Sequence, residues 1–404
     1  MTAILRLHAV GDILLYGRYD GIAAQGAEDT VFATVRPLLA EADLVVGNLE
    51  CPLTERGSPR GDKLCLRGSP RYAKALRAAG FEVLSLANNH AFDFGPEGWA
   101  DTAAQLRRAG IYTLGAGADL AAARRPLIVE RRGLRLGFLA YCHPDTNGYA
   151  LAGPGTAGVA PLRREYLLED IEQLRPKVHH VVLLLHWGLE YSPHPTPDQV
   201  ALARAAVERG AGLVLGAHSH QLQGIERYQG GWIAYSLANF TDADVEFQGA
   251  GKTYCYRMRD VDRESVLLKV DFTEAEIRLV DAVPLWLADD GRPGPAEPSR
   301  AERIRGELAT LGAALAQPDL ARRWEQQLVE RRVLAPLVHW WRSGSLWDKL
   351  RRFNLGQVKT LYLLVETFVR IKFSRGESRW SLFSPRNDRR PMPYAGPERD
   401  HHDG

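Results

Sequence analysis

The sequence predicts an α/β protein. Short apolar runs of strand length alternate with helix-length amphipathic segments from residue 4 to about residue 235, which argues for sheet and helix layers and against an all-helical or all-β domain. The helix-length segments open on proline, and three of the four stop at glycine, the punctuation expected of helices. Composition agrees: 404 residues, 45% apolar and 25% charged, are ordinary for a folded globular chain and too many for one minimal core.

The elements follow in order. An alternating stretch at 4–10 predicts the first strand, and 43–47 the second. A helix at 70–79 opens on Pro70 and ends before Gly80; a strand follows at 82–86, then a helix at 96–109 between Pro96 and Gly110. Strands at 134–140, 178–185 and 213–216 are separated by helices at 161–174, opening on Pro161, and at 197–209, between Pro197 and Gly210. From 221 to 283 the pattern becomes extended, with a turn at Gln229-Gly230-Gly231, and predicts a second, antiparallel sheet portion. Residues 287–300 are rich in Pro, Gly and acid and read as a linker. The division expected is a domain over 1–286, the linker, a helical, basic and aromatic extension over 301–383, and a disordered polar tail over 384–404. Gly115-Ala116-Gly117 lacks the third glycine of a dinucleotide loop and reads as a strand-to-helix turn.

A net charge of +2 gives no global argument for nucleic acid or an anionic surface. It conceals a split, because residues 301–404 carry 19 Lys and Arg against 12 Asp and Glu, with five of the nine tryptophans. Apolar residues from Val358 to Ile371 recur there at helical spacing, which suits a peripheral membrane helix or a helix docked on the body with a basic outer face. No nucleic-acid-binding signature accompanies them. Cys51, Cys65, Cys142 and Cys255 form no C-x-x-C pair, and no charged-then-apolar leader or run of about 20 apolar residues is visible. A reducing, cytoplasmic location is the expectation.

Chemistry is concentrated at strand ends, where loops of an open α/β sheet converge on one crevice. Asp12 follows the first strand, and Asn48 and Glu50 the second. Asn89, His90 and Asp93 follow the third, His186 and Glu190 the fifth, and His218 and His220 the sixth. His218 and His220, read as an extended pair, point the same way. Each alone has a structural reading, a cap or a satisfied core histidine, but clusters at five of six strand ends predict a polar active-site crevice. Oxygen and imidazole donors without thiolate suit one or two divalent ions of Mn, Fe or Zn, and a pair of such ions can clamp both oxygens of a displacement. His90 is placed in sequence to protonate a leaving group. Cys51 has no dedicated base nearby in sequence. Trp187 and Tyr191 suit stacking on a substrate or packing on the core.

In their order, the segments GD, GNLE-C-PLT, LANNHAFDFG, HWGLEY, GAHSHQLQGIE and AYSLANF resemble the bacterial capsule-synthesis CapA family, including poly-γ-glutamate synthesis proteins, of the calcineurin-like metallophosphatase superfamily. The resemblance covers about residues 4–240 and implies a four-layer α/β/β/α sandwich with a metal site at one edge. It implies Asp12 and His220 as ligands of a first ion, Asn89, His186 and His218 as ligands of a second, His90 as proton donor, and Asp93 as the partner that orients it. Glu190, expected with His90 and Asp93 among the catalytic residues, belongs to the family pattern and has no superfamily counterpart. Two departures stand out. Asp12-Ile13-Leu14 replaces Asp-x-His, so the first site should bind metal weakly or not at all, and Asn48 replaces a bridging Asp, with Glu50 as substitute bridge.

The function expected is metal-dependent hydrolysis of a phosphoester or an envelope-polymer bond. Two alternatives stay open: a catalytically silent member that binds polymer or a capsule synthase, and a γ-glutamyl amide hydrolase or transferase.

Overall fold

The strand Leu5–Ile13 is buried along almost its whole length, as a strand covered on both faces must be. Alternate residues divide between two cores: Leu5, Leu7 and Ala9 enter one, Val10 and Ile13 the other. The computed structural model containing it describes residues 3–317 except 62, 148–149 and 250–251, together with 320, 322 and 324, with only the backbone for 245–255.

Among the described residues, Leu5–Ile13 is central to an eight-stranded mixed sheet. On one side lie Leu44–Leu49, Phe81–Ser85 and Tyr112–Leu114, all parallel to it. On the other lie Glu264–Phe272, Ile277–Leu287 and Pro293–Pro295, antiparallel in turn. A six-stranded sheet runs in the order Ile225–Tyr228, Gly231–Ala234, Ala211–Ala217, His180–His186, Leu134–Cys142 and Leu127–Arg131, with its four inner strands parallel. The sheets pack face to face through Leu7, Val46 and Val83 against Phe138, Leu184 and Leu215. Helices Tyr72–Ala79 and Gly95–Arg108 cover the outer face of the larger sheet, and Arg164–Leu174 and Pro197–Arg209 that of the smaller. Gly80 and Gly210 close two of these helices in the left-handed conformation that glycine adopts without strain.

Three expectations differ. The first strand continues through Gly11 and Asp12, because Asn239–Thr241 pairs beside its end; a Cβ at Gly11 would stand 1.9 Å from the Ala238 carbonyl oxygen, so only glycine admits this neighbour. The 221–283 segment forms only part of the expected separate sheet: Val245–Gly249 and Lys252–Tyr256 pair as an antiparallel two-stranded sheet of their own, and its other strands join the two main sheets. Its hairpin Ile225–Ala234 edges the smaller sheet, and Glu264–Leu287 extends the larger. The Pro- and Gly-rich segment expected as a linker turns at Gly291 and pairs at 293–295 as an edge strand, where proline is tolerated because no further strand needs its N–H. Helix Pro298–Leu315 then packs Ile304 and Leu308 into the inter-sheet core, so the start of the expected extension belongs to the main body. The basic aromatic stretch and the polar tail lie outside the described residues. Among the described ones, no helix is long and apolar enough to cross a membrane.

Candidate metal centre

Parallel strands deliver their C-terminal ends to one edge, and the two facing sheets therefore bring Asp12, Asn48, Glu50 and the 88–93 turn against His186 and the 218–220 turn. Three overlapping sets of donors result, with the ligand atoms in each within 4.8 Å of one another: Glu50, His186 and His218; Asp12, Glu50 and His220; and Glu190, His218 and His220. His186 Nε2 lies 2.8 Å from Asn89 Oδ1 and 3.5 Å from Glu50 Oε1. His220 lies 3.8 Å from Asp12 and 3.9 Å from Glu50.

The polar accounting around this cluster is incomplete in one direction. Glu50 has no solvent exposure, and neither of its oxygens has a hydrogen-bond partner; the same holds for Nδ1 of buried His218. Buried polar atoms are almost always paired, since an unpaired carboxylate away from water is costly. Burial, reinforced by Asp12 and Glu190, pushes the Glu50 carboxyl well above its usual range, and burial also raises Asp12. Burial and neighbouring histidines push His186 and His218 well down. For His220, burial is outweighed by Asp12, Glu190 and Asp242, and its pKa rises. Clustered carboxylates that resist charging, beside two imidazoles that burial keeps neutral, are a donor set a divalent cation stabilises, and the mixture of O and N without thiolate fits Mn, Fe or Zn. The nearest thiols do not compete: burial pushes Cys51 and Cys142 up to about 12.

Asn48, expected among the ligands, takes part in a hydrogen-bond network that links Asp12, Asn88 and His186. Its Nδ2 donates to Asp12 Oδ1 at 2.7 Å and its Oδ1 accepts from Asn88 Nδ2 at 3.2 Å, because a carboxylate neighbour demands the donor end of the amide. His218 and His220 are not an extended pair. They sit at φ 93° and 54° in a tight turn, with ring centroids 6.0 Å apart, and the His218 N–H donates to Asp12 Oδ2 at 2.9 Å. Such positive φ values cost non-glycine residues energy and cluster at functional sites. Leu14, where an imidazole would complete Asp-x-His, is buried in the helix-side core.

His90 and Asp93 come together as expected, His90 Nδ1 lying 2.6 Å from Asp93 Oδ2. Lys63, which the sequence did not nominate, joins them: its Nζ lies 2.7 Å from Asp93 Oδ1 and donates to the Asn89 carbonyl at 2.6 Å. Burial would raise Asp93, but His90 and Lys63 prevail and hold it low. Burial, opposed by Asp93, holds His90 below its ordinary value. Asn239 and Asp242 were missed as well. His220 Nδ1 lies 2.8 Å from Asn239 Oδ1, Asn239 Nδ2 donates to Asp242 Oδ2 at 2.9 Å, and Tyr16 donates to Asp242 Oδ1 at 3.2 Å. The AYSLANF segment carried the only sequence signal for this relay. Trp187 is buried with its indole N–H on the Tyr235 carbonyl, so it packs; the Tyr191 ring stands 5.7 Å from that of His220.

Residues 6–244 match the family of bacterial capsule synthesis protein PGA_cap, and the chain belongs to that family. It is 34% identical over 241 residues to the PGA biosynthesis protein CapA of Bacillus subtilis, covering 59% of this chain and 63% of that protein. It is 32% identical over 299 residues to the capsule biosynthesis protein CapA of Bacillus anthracis, covering 72% and 69%. The chain thus spans less than two thirds of the B. subtilis relative's length. Among solved structures, the calcineurin-like phosphoesterase YfkN from Bacillus subtilis aligns over 78% of this chain and 100% of that one, at 13% identity and a TM-score of 0.40, a likeness too loose to transfer a residue or an activity.

Proposed function

We propose that this PGA_cap protein is a metal-dependent hydrolase with a metallophosphatase-like sandwich, acting on a phosphoester or an envelope-polymer bond. The observation that carries the reading is Glu50, fully buried, with no hydrogen-bond donor on either oxygen and ringed by His186, His218, His220 and Asp12. Asp12, Glu50, Asn89, His186, His218 and His220 would hold one or two divalent ions. A bound ion would supply Lewis acidity and a water acidic enough to attack near neutral pH.

The chain's own residues do the rest. Asp93 accepts the Nδ1 proton of His90 and so leaves Nε2, on the opposite side of the ring, as the nitrogen for proton transfer. Lys63 fixes the second Asp93 oxygen and the Asn89 backbone, which holds the turn in register with His186. An anionic substrate beside His90 raises its proton affinity, making it the acid for the departing oxygen.

Elemental analysis of protein purified without chelator tests the reading. A transition metal is expected, lost in His186→Ala and His218→Ala, with turnover of a panel of phosphomonoesters, phosphodiesters and γ-glutamyl peptides lost in a metal-retaining His90→Ala variant. Protein free of metal under all conditions overturns it. The buried Leu14 in place of an imidazole favours a second reading, a silent member that binds polymer or a synthase; metal without turnover on every substrate would support it.

A further inference from the structure

We propose that Glu190 is a metal ligand, giving the first ion the donor that Ile13 and Leu14 fail to provide. The inference rests on the metal centre of the hydrolase reading and extends it.

A Glu190 oxygen and one nitrogen each of His218 and His220 lie within 4.8 Å of one another. His220 is also grouped with Asp12 and Glu50, and His218 with Glu50 and His186. Glu190 therefore shares both imidazoles with Glu50, which places a second carboxylate at the junction of the two candidate ion positions. An independent observation points to a cation there: Glu50 Oε1 and Oε2 and His218 Nδ1 are buried without hydrogen-bond partners. Glu190 meets the first set, Asp12, Glu50 and His220, through His220, and the second through His218, so it adds a protein donor on the side where Leu14 supplies none.

The loop around Glu190 is built to hold it. Trp187 anchors one side, its indole N–H on the Tyr235 carbonyl at 3.1 Å, and Gly188 turns the chain at φ 95°. On the other side, the Tyr191 N–H donates to the Ser219 carbonyl at 2.7 Å, tying the loop to the centre of the His218–His220 turn, and Gln223 Nε2 donates to the Ser192 carbonyl at 2.8 Å. A carboxylate fixed between two such ties is pre-organised toward the imidazoles and loses little freedom on binding an ion.

The test is a Mn²⁺ titration of full-length, chelator-stripped protein, with ions per chain counted by elemental analysis and their coupling read by electron paramagnetic resonance. Wild type is expected to hold two ions with a coupled spectrum, and Glu190→Gln one, uncoupled, with binding at the first position weakened at least about tenfold. If Glu190→Gln does not fold, Glu190→Asp, with its shortened reach, serves the same comparison. Equal stoichiometry and affinity in wild type and variant overturn the role of Glu190 and leave the hydrolase reading standing. Wild type that binds no Mn²⁺, Zn²⁺ or Fe²⁺ overturns both.

Discussion

One carboxylate, Asp93, serves two donors of different kind: its Oδ2 faces His90 Nδ1 at 2.6 Å and its Oδ1 faces Lys63 Nζ at 2.7 Å. The same Oδ2 accepts the Leu66 N–H at 2.6 Å, so the residue that orients the imidazole also fastens the long loop between 51 and 69.

Asp93→Asn should therefore have two effects that a simple loss of charge would not. The amide no longer accepts at both oxygens, which leaves Lys63 and the Leu66 N–H competing for one acceptor. Turnover should fall about 10–100-fold, and trypsin should cut faster at Arg60 and Lys63. An undiminished rate with unchanged cleavage would contradict the positioning role.

Glu50→Gln separates stability from metal binding. In metal-free protein the buried carboxylate is the liability, and removing its charge should stabilise the fold by about 1–3 kcal/mol at pH 8. The sign follows from its raised pKa: the stabilising protonated form is fully present below the ordinary value of 4.5 and is lost as pH rises through the raised one, so the gap between variant and wild type widens with pH. Added metal should reverse the order, because wild type, with the carboxylate in place, gains more binding energy than the variant. Thermal melts with and without chelator at pH 5 and pH 8 read both effects.

The Tyr16, Asp242 and Asn239 relay fixes which nitrogen of His220 carries its proton, turning Nε2 toward Glu50. Asp242→Asn should lower metal affinity about 10–100-fold with little change in the metal-free melt. Competition against a chromophoric chelator measures this, and unchanged affinity would reduce the relay to packing.

The parallel strands were legible because fully buried strands are written as continuous apolar runs, and helix ends because proline and glycine mark them. Strand ends were not. Gly11 and Asp12 look like a turn until Ala238 and Asn239 arrive from far along the chain. The 293–295 edge strand has the composition of a linker, since proline serves both. At the site, the residue types clustered as expected, but the direction of the Asn48 amide is set by Asp12 and the turn at His218 and His220 by tertiary contacts, neither of which leaves a local mark. Lys63 was invisible because it stands in a loop without periodicity.

His8 offers a pH test remote from the metal centre. Burial, with Lys269 adding to it, lowers its pKa from 6.5 to about 4. The unfolded chain takes up a proton through pH 6.5 while the folded protein does not until about 4, so the stability gained by a neutral His8 is complete above 6.5 and lost as pH falls through that interval. The difference is about 3 kcal/mol. Urea unfolding of wild type and His8→Leu at pH 7.5 and 4.5 should show wild type losing that much more; parallel losses would assign the acid sensitivity elsewhere.

The stitching of Asn239–Thr241 to the end of Leu5–Ile13 has a consequence for the ribosome. Because Asp12 N–H bonds to the Ala238 carbonyl, and His220 is oriented through Asn239, a chain growing from its N-terminus carries Asp12 for more than half its synthesis before the strand that shapes its surroundings exists. Any metal loading through Asp12 and His220 would then wait until residues 239–241 have emerged and paired, and would depend on long-range closure and not on a local element.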